Sequence, residues 1–187
     1  MTRRYELKRR AARMEETRHR IVEATRSLHE EVGPARTTVA AIAERARVSR
    51  PTVYAQFPDD RSLFAACGAR FRELHPLPEM IDVPLELALV ALYDHYSANR
   101  RILSNVDRDA RLLTSLAEEM AGVWGYLDAV AASLADDRDS RATIRLALDF
   151  TTWERLDGDG YSPAEAASLM ARVARCAGYG RRSSATA

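Results

Sequence analysis

Apolar positions recur at intervals of three and four residues through most of this chain, the spacing of one face of an α-helix. The densest such pattern lies between Thr37 and Asp60, TTVAAIAERARVSRPTVYAQFPDD. Val39, Ile42, Ala43 and Ala46 mark the apolar face of one short helix, and Val48 closes a tight connection. Val53 and Phe57 mark one apolar edge of a second short helix. The linker Arg47-Val48-Ser49 is too short to let the two lie antiparallel. The pattern therefore predicts two short helices crossing steeply around a turn, a helix-turn-helix. Thr38 and Ser49 stand where their hydroxyls can cap the two helices. Pro51 falls in the first turn of the second helix, where a missing N–H matters little.

Upstream, residues 14–32 read as a long helix with Ile21, Ala24, Leu28 and Val32 on its buried stripe, ended by Gly33-Pro34. Before it lies a basic arm, residues 2–13, with Arg3, Arg4, Lys8, Arg9, Arg10 and Arg13 against Glu6 alone. The arm either extends this helix backwards or lies loose. Downstream, Leu63, Phe64, Cys67 and Phe71 predict a helix over 60–73, and His75-Pro76-Leu77-Pro78 breaks it and sets a structural boundary. Further helices are predicted over 84–98, 111–135, 140–156 and 162–177, with a shorter, charged helix or turn over 100–110. The last opens on Ser162, Pro163 and Glu165, a capping box. The Gly-, Ser- and Arg-rich tail, about 179–187, is expected to be disordered. No segment alternates as a strand does. The expected fold is all-α: about nine helices, an N-terminal three-helix domain and a C-terminal helical domain.

Composition narrows the function. The chain has 187 residues, 47% of them hydrophobic, enough for a packed core. No apolar run approaches the roughly 18 residues of a membrane span, and the Arg-rich N-terminus lacks the apolar stretch of a signal peptide, so a cytoplasmic location is expected. Cys67 and Cys176 match no metal spacing and are expected to be reduced, buried thiols. Net charge is +1, yet residues 1–58 hold 13 Lys+Arg against 7 Asp+Glu, and the remainder 15 against 20. Only the front of the chain is suited to a polyanion. The phosphate-binding, dinucleotide-binding, zinc-protease and nucleophile-elbow motifs are all missing. The nearest approach to a catalytic cluster, Tyr93-Asp94-His95, lies on one helix, where adjacent residues point apart. No enzymatic activity, metal or cofactor is expected.

The second helix of the motif carries side chains suited to duplex DNA. Arg50 can bridge guanine O6 and N7, Gln56 can pair with adenine, and Thr52 can touch a thymine methyl or a phosphate. Thr38, Ser49 and Tyr54 offer hydroxyls to phosphates, and Pro51 lies at the helix N-terminus, whose N–H groups also suit phosphate. Arg36 and Thr37 sit at the entrance to the motif, Arg47 in its turn, and Arg61 just beyond it.

The register of Thr37, Thr38, Val39, Ile42, Ala43, Ala46, Val48, Ser49, Thr52, Val53, Tyr54, Phe57, Leu63 and Phe64 resembles the DNA-binding segment of the TetR (tetracycline-repressor-like) family. The resemblance covers about residues 15–70; beyond that it is one of architecture. Two positions depart from the family pattern: Arg47 stands where Gly is usual, and Asp60 where many members have a phosphate-binding Lys, with Arg61 beside it. The resemblance implies a DNA-binding domain over 1–60 and a ligand-binding and dimerisation domain over 61–187. It implies a small-molecule effector pocket, for which Leu89, Tyr93, Tyr96, Met120, Trp124 and Phe150 are the candidates. It also implies a dimer-forming pair of helices at 140–156 and 162–177, with Leu148, Thr152, Trp153, Ala166, Leu169, Met170 and Val173 facing a two-fold copy. The function so implied is a homodimeric, effector-responsive repressor on a palindromic DNA operator. The rival is a helical small-molecule-binding or scaffold protein whose helix-turn-helix serves only packing.

Overall fold

A computed structural model describes residues 2–178. Among them the chain forms ten α-helices and one 3-10 turn. They are α1 (Thr2–Glu31), the turn Pro34–Arg36, α2 (Val39–Ala46), α3 (Arg50–Gln56), α4 (Asp60–Leu74), α5 (Leu85–Ala98), α6 (Arg100–Ala110), α7 (Thr114–Leu134), α8 (Arg138–Leu148), α9 (Phe150–Gly158) and α10 (Pro163–Cys176). The expected tail at about 179–187 falls outside the described residues.

The chain divides into two compact units, Met1–Pro76 with Arg101–Glu119, and Leu77–Arg100 with Met120–Ala187. The division differs from the line drawn at residue 60, because α4 packs into the first unit's core. It does fall at the His75–Pro78 breaker.

In the first unit, Ile21, Val22, Ala24 and Leu28 of α1 pack with Ile42, Ala43 and Ala46 of α2, Val53 of α3, Phe57, and Leu63 and Cys67 of α4. Phe64 of α4 joins Ala110 and Leu116 in a second cluster. The basic arm is helical: α1 runs 30 residues without interruption from Thr2. Val32, expected on its buried stripe, is 39% exposed, because α1 stops at Glu31 and Gly33 turns the chain away at φ 90°. The last carbonyls of α1 are satisfied from α6. Asn105 Nδ2 donates to His29 O at 3.0 Å and to Glu30 O at 2.9 Å. Asp109, 1% exposed, accepts from the Ala35 N–H at 2.9 Å and from Arg108 Nε at 2.7 Å. Burial by itself pushes the Asp109 carboxyl up, but the hydrogen bonds from Arg108 and Ala35 outweigh it and hold it below the usual carboxylate range.

In the second unit, Leu85, Leu89, Leu92, Ile144, Leu148, Val130 and Trp153 form a buried core with the alanines Ala166, Ala167, Ala171 and Ala174 of α10. Those small residues let α10 lie close along α5. The single helix expected over 140–156 is two helices. Asp149 takes an extended conformation and its carboxylate accepts from the Thr151 and Thr152 N–H groups, capping α9 instead of continuing α8. Asp side chains compete for backbone donors in this way, and periodicity does not reveal it. Ser162 and Glu165 form the expected capping box on α10. Of the two thiols only Cys67 is buried, and Cys176 is exposed, since it ends α10 on its outer side. Burial pushes the Cys67 thiol up to about 12, which leaves it un-ionised and inert.

His29 is 5% exposed, with its ring 5.7 Å from that of Phe64. Burial holds the imidazole well below its ordinary value, at about 4, although the Asp109 carboxylate pulls the other way. Between the unfolded value near 6.5 and about 4, the unfolded chain binds the proton that the folded chain refuses. Stability from this residue is therefore complete above the unfolded value and falls as pH drops through that window, by on the order of 3 kcal/mol. Urea unfolding at a series of pH values should show this slope in the wild type and a flatter one in His29→Gln. Equal slopes would refute the assignment.

Candidate nucleic-acid interface

Two caps and a strained turn hold α2 and α3 at their angle. The Thr38 hydroxyl accepts from the Ala41 N–H at 3.2 Å and starts α2. Arg47 ends it in the left-handed conformation, φ 55° and ψ 49°. Half-buried Val48 then donates its N–H to Ala43 O at 2.9 Å, closing the last turn of α2. The Ser49 hydroxyl accepts from the Thr52 N–H at 3.2 Å and starts α3. The Phe57 N–H returns to Val53 O at 2.8 Å and ends it.

Helix α3 has one buried edge. Val53 is 1% exposed and Phe57 3%, whereas Arg50, Pro51, Tyr54 and Ala55 are exposed. Arg50 and Tyr54 share a face by their spacing of four. Thr52 and Gln56 are half-buried, and the Thr52 hydroxyl is paired with that of Ser49 at 2.8 Å. Arg36, Thr38, Arg47 and Ser49 are exposed, and Thr37 is half-buried with its hydroxyl donated to Gly33 O at 2.9 Å. Among the described residues no carboxylate lies within ion-pair distance of Arg36, Arg47 or Arg50, although the Arg36 charge, at longer range, helps to hold the Asp109 carboxyl down. Arg61 differs: it is exposed, but its Nη2 lies 2.6 Å from Glu118 Oε2. On α1, Lys8, Arg9, Arg10 and Arg13 are all exposed.

One residue that bears on this face escaped sequence reading. Arg18 of α1 donates from Nη1 to Gln56 O at 3.0 Å, with its guanidinium 4.2 Å from the centroid of the Phe57 ring. The two are 38 residues apart, and no local pattern links them.

The candidates for an effector pocket differ in burial. Leu89 and Tyr93 are fully buried and Tyr96 is 6% exposed. The Tyr93 hydroxyl donates to Ala147 O at 2.6 Å and that of Tyr96 to Leu148 O at 2.8 Å. Half-buried Phe150 packs edge-on against Tyr96. Met120 is half-buried, and Trp124 is 44% exposed. Trp124 lines a cleft of about 610 Å³, whose other walls are Leu127, Asp128, Ala142, Arg145, Leu146 and Asp149. Arg145 Nε and Asp128 Oδ1 pair across it at 2.7 Å. Of the seven dimer candidates, Leu148, Trp153 and Ala166 are at most 1% exposed within their own chain, so a partner copy cannot reach them. Thr152, Leu169 and Met170 are half-buried, and Val173 is 43% exposed.

A short helix capped by a side chain, anchored along one edge and flanked by unpaired arginines defines a helix-turn-helix domain of the nucleic-acid-binding type. Residues 21–67 match the family model for bacterial regulatory proteins of the tetR family. The chain is 33% identical over 112 residues to HTH-type transcriptional regulators of Mycobacterium tuberculosis and Mycobacterium bovis. That match covers 58% of this chain and 54% of each relative, so the chain spans about half the length of the relatives it matches. In three dimensions the chain resembles a crystal structure of the HlyIIR mutant protein carrying a GSSGSSG linker, with a TM-score of 0.57 and 16% identity, over 85% of this chain and 95% of that one. The segment 21–67, which holds the helix-turn-helix, is thus of the tetR family's type.

Arg47 tests the turn directly. A side chain in the left-handed region costs about 1–2 kcal/mol, partly offset by the backbone freedom that glycine adds to the unfolded chain. Arg47→Gly should therefore raise the stability to urea by about 0.5–1 kcal/mol. A destabilised variant would mean that the Arg47 side chain holds the turn through contacts.

Proposed function

We propose that the protein is a homodimeric, effector-responsive transcriptional repressor that reads a palindromic DNA operator with α3. The observation that carries this is the exposed face of α3 with Arg36, Arg47 and Arg50 unpaired around it. Arg47 and Arg50 lie at the N-terminal end of α3 and Arg36 at the entrance to α2, and a motif that served only packing has no need of that charge. Arg50 reads a base edge, with Thr52 and Gln56 beside it; Thr38, Ser49 and Tyr54 hold phosphates, and Arg36, Thr37, Arg47 and the N-terminus of α3 at Pro51 add to that grip. Arg61 can join only by leaving Glu118, and an exposed pair of that kind is worth little.

A lone motif binds weakly, and two presented about 34–36 Å apart read both halves of a palindrome. The exposed or half-buried positions Thr152, Leu169, Met170 and Val173 are the remaining candidates for the two-fold contact. The effector site best supported is the cleft beside Trp124, with apolar walls and the Asp128–Arg145 pair as its polar handle. An effector there would act by favouring one of two arrangements of the DNA readers.

The test is a gel shift, or fluorescence anisotropy, with duplex DNA from the region upstream of the protein's own gene. Log affinity should fall against log salt with a slope of roughly −5 to −9, for about 6 to 10 phosphates engaged per dimer. Salt-independent binding, or none, would favour the packing-only scaffold. Arg50→Ala should weaken binding by about 1–3 kcal/mol and relax sequence preference, and a variant that binds as the wild type does would remove Arg50 from base reading.

A further inference from the structure

Arg18 differs in its partners from the other arginines that bridge elements of the first unit. Arg45 is paired with Glu31 at 2.6 Å, Arg70 with Glu23 at 2.7 Å and Arg72 with Glu119 at 2.8 Å. Among the described residues no carboxylate lies within ion-pair distance of Arg18. Its guanidinium meets the carbonyl end of α3 instead. Nη1 donates to Gln56 O at 3.0 Å, and the planar group lies 4.2 Å from the centre of the Phe57 ring.

The site is mechanically critical. Helix α3 is seven residues long, below the length at which a helix holds itself together in water. Its apolar anchors are Val53 and Phe57, one turn apart along a single edge. Two anchors on one edge fix where the helix sits but leave its roll about that edge weakly restrained. A third tether from another helix removes that freedom. Arg18 supplies it from α1, which is long, packed against α2 and α4, and does not depend on α3 for its own shape. The positive group also sits at the negative end of the α3 dipole.

The geometry points to Arg18 as a positioning residue that sets the roll of α3, and so the aim of Arg50, Thr52 and Gln56, without itself touching DNA. This rests on the DNA-reading function proposed above. A positioning role predicts that sequence discrimination suffers while the phosphate attraction, made by other residues, persists.

The probe is a duplex enriched from a random-sequence pool by the wild-type protein, compared with a scrambled duplex of equal length. In Arg18→Ala the ratio of specific to non-specific affinity should fall about tenfold, with non-specific affinity and the salt slope unchanged. Arg18→Lys keeps a donor and a cation over the ring and should recover part of the ratio. Amide exchange in the intact protein, without DNA, should speed up at residues 52–57 in Arg18→Ala and stay unchanged in α2. An unaltered ratio, equal loss of specific and non-specific binding, or unaltered exchange at 52–57 would each overturn the assignment. A wild-type protein that enriches no sequence would overturn the DNA-reading function, and this role with it, and is told apart because it shows before any variant is made.

Discussion

The candidate interface depends on the burial of Val53 and Phe57 against a core built by other helices. Helix α3 cannot nucleate on its own at seven residues. Each of the two side chains, taken almost wholly out of water, contributes on the order of 1.5–3 kcal/mol, and that is what binds α3 to the body. Everything facing outward follows from it. Once one edge is buried, the helical repeat leaves Arg50 and Tyr54 exposed along the flank beside it, and Pro51 and Ala55 on the far side. The same constraint explains the strain in the turn. To bring Val53 onto the core formed by Ile42 and Ala46, the chain must turn steeply within three residues, and Arg47 takes up the left-handed conformation at that turn.

Polar groups complete what apolar burial starts, and in both units they do so at helix ends. The carbonyls that close α1 are taken by Asn105, those that close α8 by the hydroxyls of Tyr93 and Tyr96, and that of Gln56 by Arg18. Helix termini leave unpaired carbonyls that are costly to bury, and these side chains are committed to that task. Tyr93 and Tyr96, candidates from sequence for a ligand pocket, spend their hydroxyls on this task. Their hydroxyls donate to the backbone carbonyls of Ala147 and Leu148.

The electrostatic pattern is consistent with a division of labour along the chain. In the first unit most arginines that bridge elements have carboxylate partners, while Arg36, Arg47 and Arg50 around the exposed helix have none. Exposed pairs contribute little to stability, so leaving these three unpaired costs the fold almost nothing. It leaves positive charge concentrated where a polyanion can meet it.

The all-α class, the helix-turn-helix, its caps at Thr38 and Ser49 and the breaker at His75–Pro78 were legible in the sequence. Each is set by interactions within a few residues, which spacing and residue type record directly. The break at Asp149 was not legible, because an apolar periodicity carries across it unchanged and the capping carboxylate decides the outcome. Nor was the burial of Leu148, Trp153 and Ala166 inside their own chain, since an apolar stripe looks the same whether it meets a neighbouring helix or a second copy. The grip of Arg18 on α3 and of Asn105 and Asp109 on the end of α1 belongs to the tertiary structure alone. Contacts between residues 38 and 74 or more positions apart exist only after the helices have packed.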